Sequence, residues 1–93
     1  MARARTAELL RRAYEAGDPH AAVELLEQSI ALRHRRVALL RYLQAQRLSA
    51  PLDARHHEYA QQVAARLSGE TLARLLDEAR RRGAWHAGSP DRN

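Results

Sequence analysis

The sequence predicts an all-α protein. Three to four helices surround one long central helix of ~29 residues, and the whole is expected to pair as an intertwined or side-by-side helical-bundle dimer. Two observations lead there. Ala, Leu, Arg, Glu and Gln dominate the 93 residues, and no segment alternates polar and apolar residues as a strand does. Gly and Pro are few, and none occurs between Pro19 and Pro51.

The elements follow in order. Thr6 is placed to cap a short first helix with Leu9, Leu10 and Ala13 on its apolar side, ended by Gly17. Asp18 followed by Pro19 reads as an N-cap with proline at the first helical position. The second helix is then expected to run unbroken to Arg47 or Leu48, a length of ~45 Å at ~1.5 Å per residue. A compact chain of this size has a radius of gyration of ~12 Å and a diameter of roughly 30 Å. Such a helix must protrude or be covered by a partner. Its apolar residues form three lines: Val23, Ile30 and Val37; Leu26 and Leu40, with Arg33 between them; and Leu25, Leu32 and Leu39. That surface is wider than one short helix buries. It predicts a homodimer with Val23, Leu26, Ile30, Val37 and Leu40 at the interface, or a helical protein partner in place of the second copy.

"RLSAPLD", residues 47–53, reads as a loop whose Asp53 caps the third helix. At Ser68-Gly69 the apolar stripe changes phase. This favours a break there, with Ser68 capping a fourth helix to about Arg82, over one continuous helix. Gly83 is expected to stop that helix. Residues 1–83 then form the domain and residues 84–93 a polar tail, with Trp85 folding back as a lid.

The net charge of +5 is unevenly spread. Residues 1–32 hold four Arg against five acids, residues 33–66 seven against two, and residues 67–93 five against four. The surplus therefore lies in the middle third, and it starts at "RHRR", residues 33–36. All basic residues are Arg and none is Lys, Phe is absent, and Ile and Asn occur once each. A GC-rich genome produces this pattern irrespective of function. Within a continuous helix, four consecutive side chains point about 100° apart, so "RHRR" is expected to form a polar belt. Arg33 stands on an apolar line where Leu would be expected, and an Arg there is costly unless paired. Arg33, Arg35, Arg36 and, on the last helix, Arg74 are the candidates for binding an anion or nucleic acid.

Three segments resemble known families. "AYEAGDPHAAVELLEQSIAL" resembles one tetratricopeptide repeat, present once where about three copies are needed to bury their faces. It therefore reads as a generic helical hairpin. "VAARLSGETLARLLDEARRRGAW" resembles the helix-turn-helix of winged-helix regulators, which implies base-edge and phosphate contacts from Ser68, Thr71 and Arg74. The usual Gly is missing from its turn, and no strands follow to form a wing. Residues 19–82 resemble the all-helical chorismate mutases, which are intertwined dimers. That resemblance implies a dicarboxylate held by Arg36 and Arg47, with Arg55 and Glu58 completing the site. Here the loop is shorter, and no Arg occurs early in the long helix.

The remaining readings are exclusions. Cysteine is absent, so there is no disulfide or thiol chemistry. No apolar run approaches the ~18 residues of a membrane span, and the N-terminus lacks a signal peptide, so a cytoplasmic location without membrane contact is expected. The adjacent His56 and His57 diverge on a helix and read as solvent-facing; neither a metal nor a cofactor is expected. The function read from these features is a small protein-protein interaction module, an adaptor or regulator assembling through its long helix. The alternatives are an Arg-rich nucleic-acid-binding regulator and a chorismate-mutase-like enzyme.

Overall fold

The computed structural model describes residues 2–87. It is all-helical: α1 Ala2–Tyr14, α2 Pro19–Ala31, α3 Arg35–Arg47, α4 Ala54–Arg66 and α5 Gly69–Ala87. The radius of gyration is 12.9 Å, with extents of 35 × 33 × 23 Å.

The expected 29-residue helix is not formed. The chain breaks at Leu32–His34 and folds back, so that α2 and α3 are two helices of 13 residues packed on one another. The break needs neither Gly nor Pro. Arg33 adopts the left-handed conformation at φ 61°. Its N–H donates to the Ile30 carbonyl at 3.0 Å, and the His34 N–H donates to the Ser29 carbonyl at 3.0 Å. These are the two bonds of a Schellman closure, usually made with Gly at the left-handed position. The same closure ends α3, with Ser49 at φ 54°, Ser49 N–H to the Gln46 carbonyl and Ala50 N–H to the Ala45 carbonyl. A left-handed L-residue costs roughly 1–2 kcal/mol. Burying one Leu stabilises by about 1.5–3 kcal/mol, and Leu25, Leu26, Leu39 and Leu40 are all buried within the one chain. The turn also removes Arg33 from the Leu26–Leu40 line and exposes it.

The apolar surface that predicts a homodimer belongs to that single long helix and is not formed as such. Leu26 and Leu40, two of the five expected interface residues, lie in the chain's own core. Val23 and Ile30 are half-buried, and only Val37 is exposed.

The central helix is α3, which packs against α2, α4 and α5. One core joins Leu9, Ala13, Ala21, Ala22 and Leu25 to Ala45 of α3. The other joins Leu39 and Leu40 of α3 to Ala60, Val63, Leu75 and Ala79.

Three caps stand where the sequence places them. The Asp18 carboxylate accepts the N–H groups of His20 and Ala21, Asp53 accepts those of Arg55 and His56, and the Ser68 hydroxyl accepts that of Thr71. Asp18 also ties α1 to α2, since Arg12 donates to its second oxygen through Nε at 3.0 Å and Nη2 at 2.7 Å. Two other expectations fail. Thr6 lies inside α1 instead of capping it, and α5 continues through Gly83 to Ala87. The tail from residue 88 and the Trp85 side chain lie outside what the structure describes.

Two measurements check this arrangement. Arg33→Gly is expected to hold or raise stability by up to ~1 kcal/mol in urea denaturation, because Gly suits a left-handed position; Arg33→Val is expected to lower it. Were residue 33 inside a helix, Gly would instead cost about 0.5–1 kcal/mol. The second concerns Asp18. The Arg12 guanidinium, against the opposing effect of burial, holds its carboxyl below the ordinary 3.8. A lowered folded pKa contributes stability above the unfolded value that is lost as pH falls through the folded one. Asp18→Asn should therefore be less stable than the parent at neutral pH, and the gap should close as pH falls through and below the ordinary carboxylate range.

Candidate functional site

Folding α2 back on α3 leaves a groove of about 440 Å³ beside the turn. From α1 it takes Thr6, Ala7 and Leu10, and from α2 Leu25, Gln28 and Ser29. Leu32 and His34 of the turn, and Val37 and Arg41 of α3, complete it. Its floor is closed, because Leu25 and Ser29 are buried in the packed helices. Its lip is apolar and open: Leu32 is 58% exposed and Val37 36%. These are two of the three large hydrophobic residues exposed among the described ones; the third, Leu76, lies on α5.

The polar groups around the groove are held in place. Gln28 Nε2 donates to Thr6 Oγ1 at 3.1 Å across α1 and α2. Arg41 Nη1 donates to the Tyr14 hydroxyl at 2.9 Å, and its guanidinium carbon lies 5.5 Å from that ring's centroid. No carboxylate lines the groove.

The "RHRR" residues divide around the turn. His34 is the N-cap of α3 but makes no side-chain capping bond, and no acid stands in that helix's first turn. His34 lines the groove, whereas Arg35 lines a separate hollow of about 130 Å³ with Tyr59, Gln62, Val63 and Arg66. Arg33 and Arg36 adjoin the groove residues Leu32 and Val37 in the chain. Among the described residues Arg33, Arg35, Arg36, Arg47 and Arg66 make no ion pair. Outside the middle third, Arg5, Arg11, Arg12, Arg74, Arg80 and Arg81 each do, and Arg55 pairs with both Glu27 and Asp53.

The other expected sites are placed differently. On the segment that resembles a helix-turn-helix, Ser68 and Thr71 bond each other and Arg74 pairs with Glu70 at 3.1 Å. All three are engaged by their own helix. Arg36 and Arg47 stand near the two ends of α3, both exposed, as are Arg55 and Glu58 on α4. The long helix that the mutase resemblance requires is the one broken at Arg33.

The histidine pair corrects the sequence reading. His56 is 3% exposed. Its Nδ1 accepts the Asp53 backbone N–H at 3.1 Å, which assigns the hydrogen to Nε2; that nitrogen donates to Glu27 Oε2 at 3.0 Å. His57 Nδ1 lies 2.7 Å from the Tyr42 hydroxyl. His56 therefore closes the capping box of α4 and fastens α4 to α2, beside a cleft of about 320 Å³ lined by Glu27, Ile30, Arg55 and Tyr59. Among the described residues no three of His, Asp and Glu converge as metal ligands, and no helix is long and apolar enough to cross a membrane.

The chain has no match among family models, curated proteins or solved structures.

His56→Ala is expected to cost about 2–3 kcal/mol in urea denaturation, since it opens a buried site and leaves the Asp53 N–H unpaired. A loss below about 0.5 kcal/mol, the range of ordinary surface changes, would contradict a structural role for this side chain.

Proposed function

We propose that this chain is a small protein-protein interaction module, an adaptor or regulator, and that it receives its partner in the groove between α1, α2 and α3. One observation carries the reading. Leu32 and Val37 form an exposed apolar lip over a floor that is already buried. Scattered surface hydrophobics need no explanation, whereas apolar residues gathered round a concavity mark a binding surface. A small molecule in a dedicated pocket is covered over most of its surface. Here the walls themselves stand open, which fits the side of a protein element better. Pairing with a second copy through this face would bring two Arg33–Arg36 clusters together, and their repulsion opposes it. The partner is therefore a different chain.

Leu32→Asp should leave stability within about 0.5 kcal/mol, because that side chain is mostly solvated. Val37→Asp, at 36% exposure, is to be compared at a temperature where urea denaturation shows it folded. Each should reduce co-purification of the native partner at least about tenfold, the consequence of placing a charge in an apolar interface. Leu76→Asp on α5 is the control. Equal loss from all three variants, or no loss from the first two, would count against the groove.

A further inference from the structure

We infer that the partner segment is an acidic amphipathic helix presenting two large apolar side chains four residues apart. The inference rests on the groove being the docking site and adds the chemistry of what docks there.

The spacing comes from the walls. Along α1 the groove runs from Thr6 to Leu10, and along α3 from Val37 to Arg41. Each interval is four residues, or ~6 Å of helix. A guest helix laid in the groove presents residues i and i+4 on one face over the same ~6 Å. Two leucine-sized side chains reach Leu25 at the floor and Leu10 on the α1 wall, while Leu32 and Val37 close over them. Helix-in-groove recognition works through such anchors.

The charge comes from what surrounds those walls. His34 and Arg41 line the groove, and no carboxylate does. Arg33 and Arg36 adjoin its lip in sequence and make no ion pair among the described residues. The neighbouring acids on α1 and α2 are already engaged: Glu24 by Arg5 and Glu8 by Arg11. Two guanidinium groups without an ion pair, each one residue from the lip in sequence, thus leave a local excess of positive charge beside the groove. Carboxylates flanking the guest's apolar pair meet it, whereas a basic guest is repelled. Nucleic acid would satisfy the arginines but leave the apolar lip uncovered, which is why a protein helix is favoured.

The test uses the full chain and three labelled synthetic helical peptides of about sixteen residues, a length at which isolated helices begin to hold. The first has Leu at i and i+4 with Glu on the flanks. The second keeps the Leu pair and replaces Glu with Lys. The third keeps Glu and replaces both Leu with Ser. Fluorescence anisotropy at low and high salt gives the affinities. The expected result is that the first binds at least about tenfold more tightly than either other peptide, and that its advantage over the second shrinks as salt screens the charges. Arg33→Ala combined with Arg36→Ala should remove most of that advantage, and Leu32→Asp, checked for an unchanged melting temperature, should abolish binding.

The failures are distinguishable. Equal binding of the Glu and Lys peptides overturns the acidic inference and leaves the groove standing. Binding of neither Leu peptide overturns the groove itself. Binding of the Ser peptide as tightly as the first overturns the apolar pair. A single-stranded oligonucleotide that binds tighter than the first peptide, indifferent to Leu32→Asp, overturns the inference in favour of nucleic acid.

Discussion

The rest of the structure depends on a three-residue turn in which Arg33 is held left-handed. Two apolar helices of equal length cannot both bury their faces while they remain collinear. Folding one back on the other allows it, provided that the last carbonyls of α2 find donors. The Arg33 and His34 N–H groups supply them by bonding Ile30 and Ser29. Once α2 and α3 lie together, α1 is fixed against α2 by Asp18 and Arg12, and α4 is fixed to α2 by His56 and Glu27. The groove exists because of the same turn, since Leu32 lies in the turn, Val37 in the first turn of α3, and both stand at the groove's lip.

What the sequence made legible are the features whose cause is local. Asp18-Pro19, Asp53 and Ser68 cap helices because a short side-chain oxygen reaches N–H groups two or three residues away, whatever the rest of the chain does. The break at Arg33 has a tertiary cause, and Arg is by itself a good helix former. Its trace in the sequence is indirect: an Arg on an apolar line marks either a buried ion pair or a helix that does not continue, and here it is the second. Gly83 fails as a stop for the complementary reason, that Gly inside a helix carries a modest penalty which context overrides. His56 occupies the N3 position of a capping box where Glu or Gln is usual, so the spacing was visible and the residue type disguised it. Val37 and Leu32 were legible as apolar positions, but the three apolar lines were not legible as core: Leu25, Leu26, Leu39 and Leu40 on those lines are buried within the chain itself. The roles of Thr6, Gln28 and Arg41 were not legible, because their bonds join helices far apart in the chain.

The distribution of ion pairs separates two roles for Arg in this chain. On α1 and α5, Arg side chains pair with acids within their own helix or the next, and such exposed pairs add little stability. Around the α2–α3 turn the local acids run out. A compositional bias toward Arg would fall on both regions alike, whereas the scarcity of acids between residues 33 and 66 leaves one of them uncompensated. Charge of this kind acts over a distance of about a Debye length, roughly 8 Å at physiological ionic strength. In the proposed docking it would act on encounter and orientation, before any apolar contact forms.

Four of the five helices have 13 residues. That is near the shortest length at which an isolated helix persists in water, so each depends on its neighbours to exist at all. Those neighbours are close at hand: α2 packs on both α1 and α3, and α3 on α4. Contacts so local in sequence require little loop closure before they form, and chains of this topology fold on the microsecond to millisecond scale. The turn at Arg33 thus gives the molecule speed as well as shape. A single rod of some 29 residues would have had to wait for a second molecule to collide with it, whereas a hairpin of two short helices needs only to close on itself.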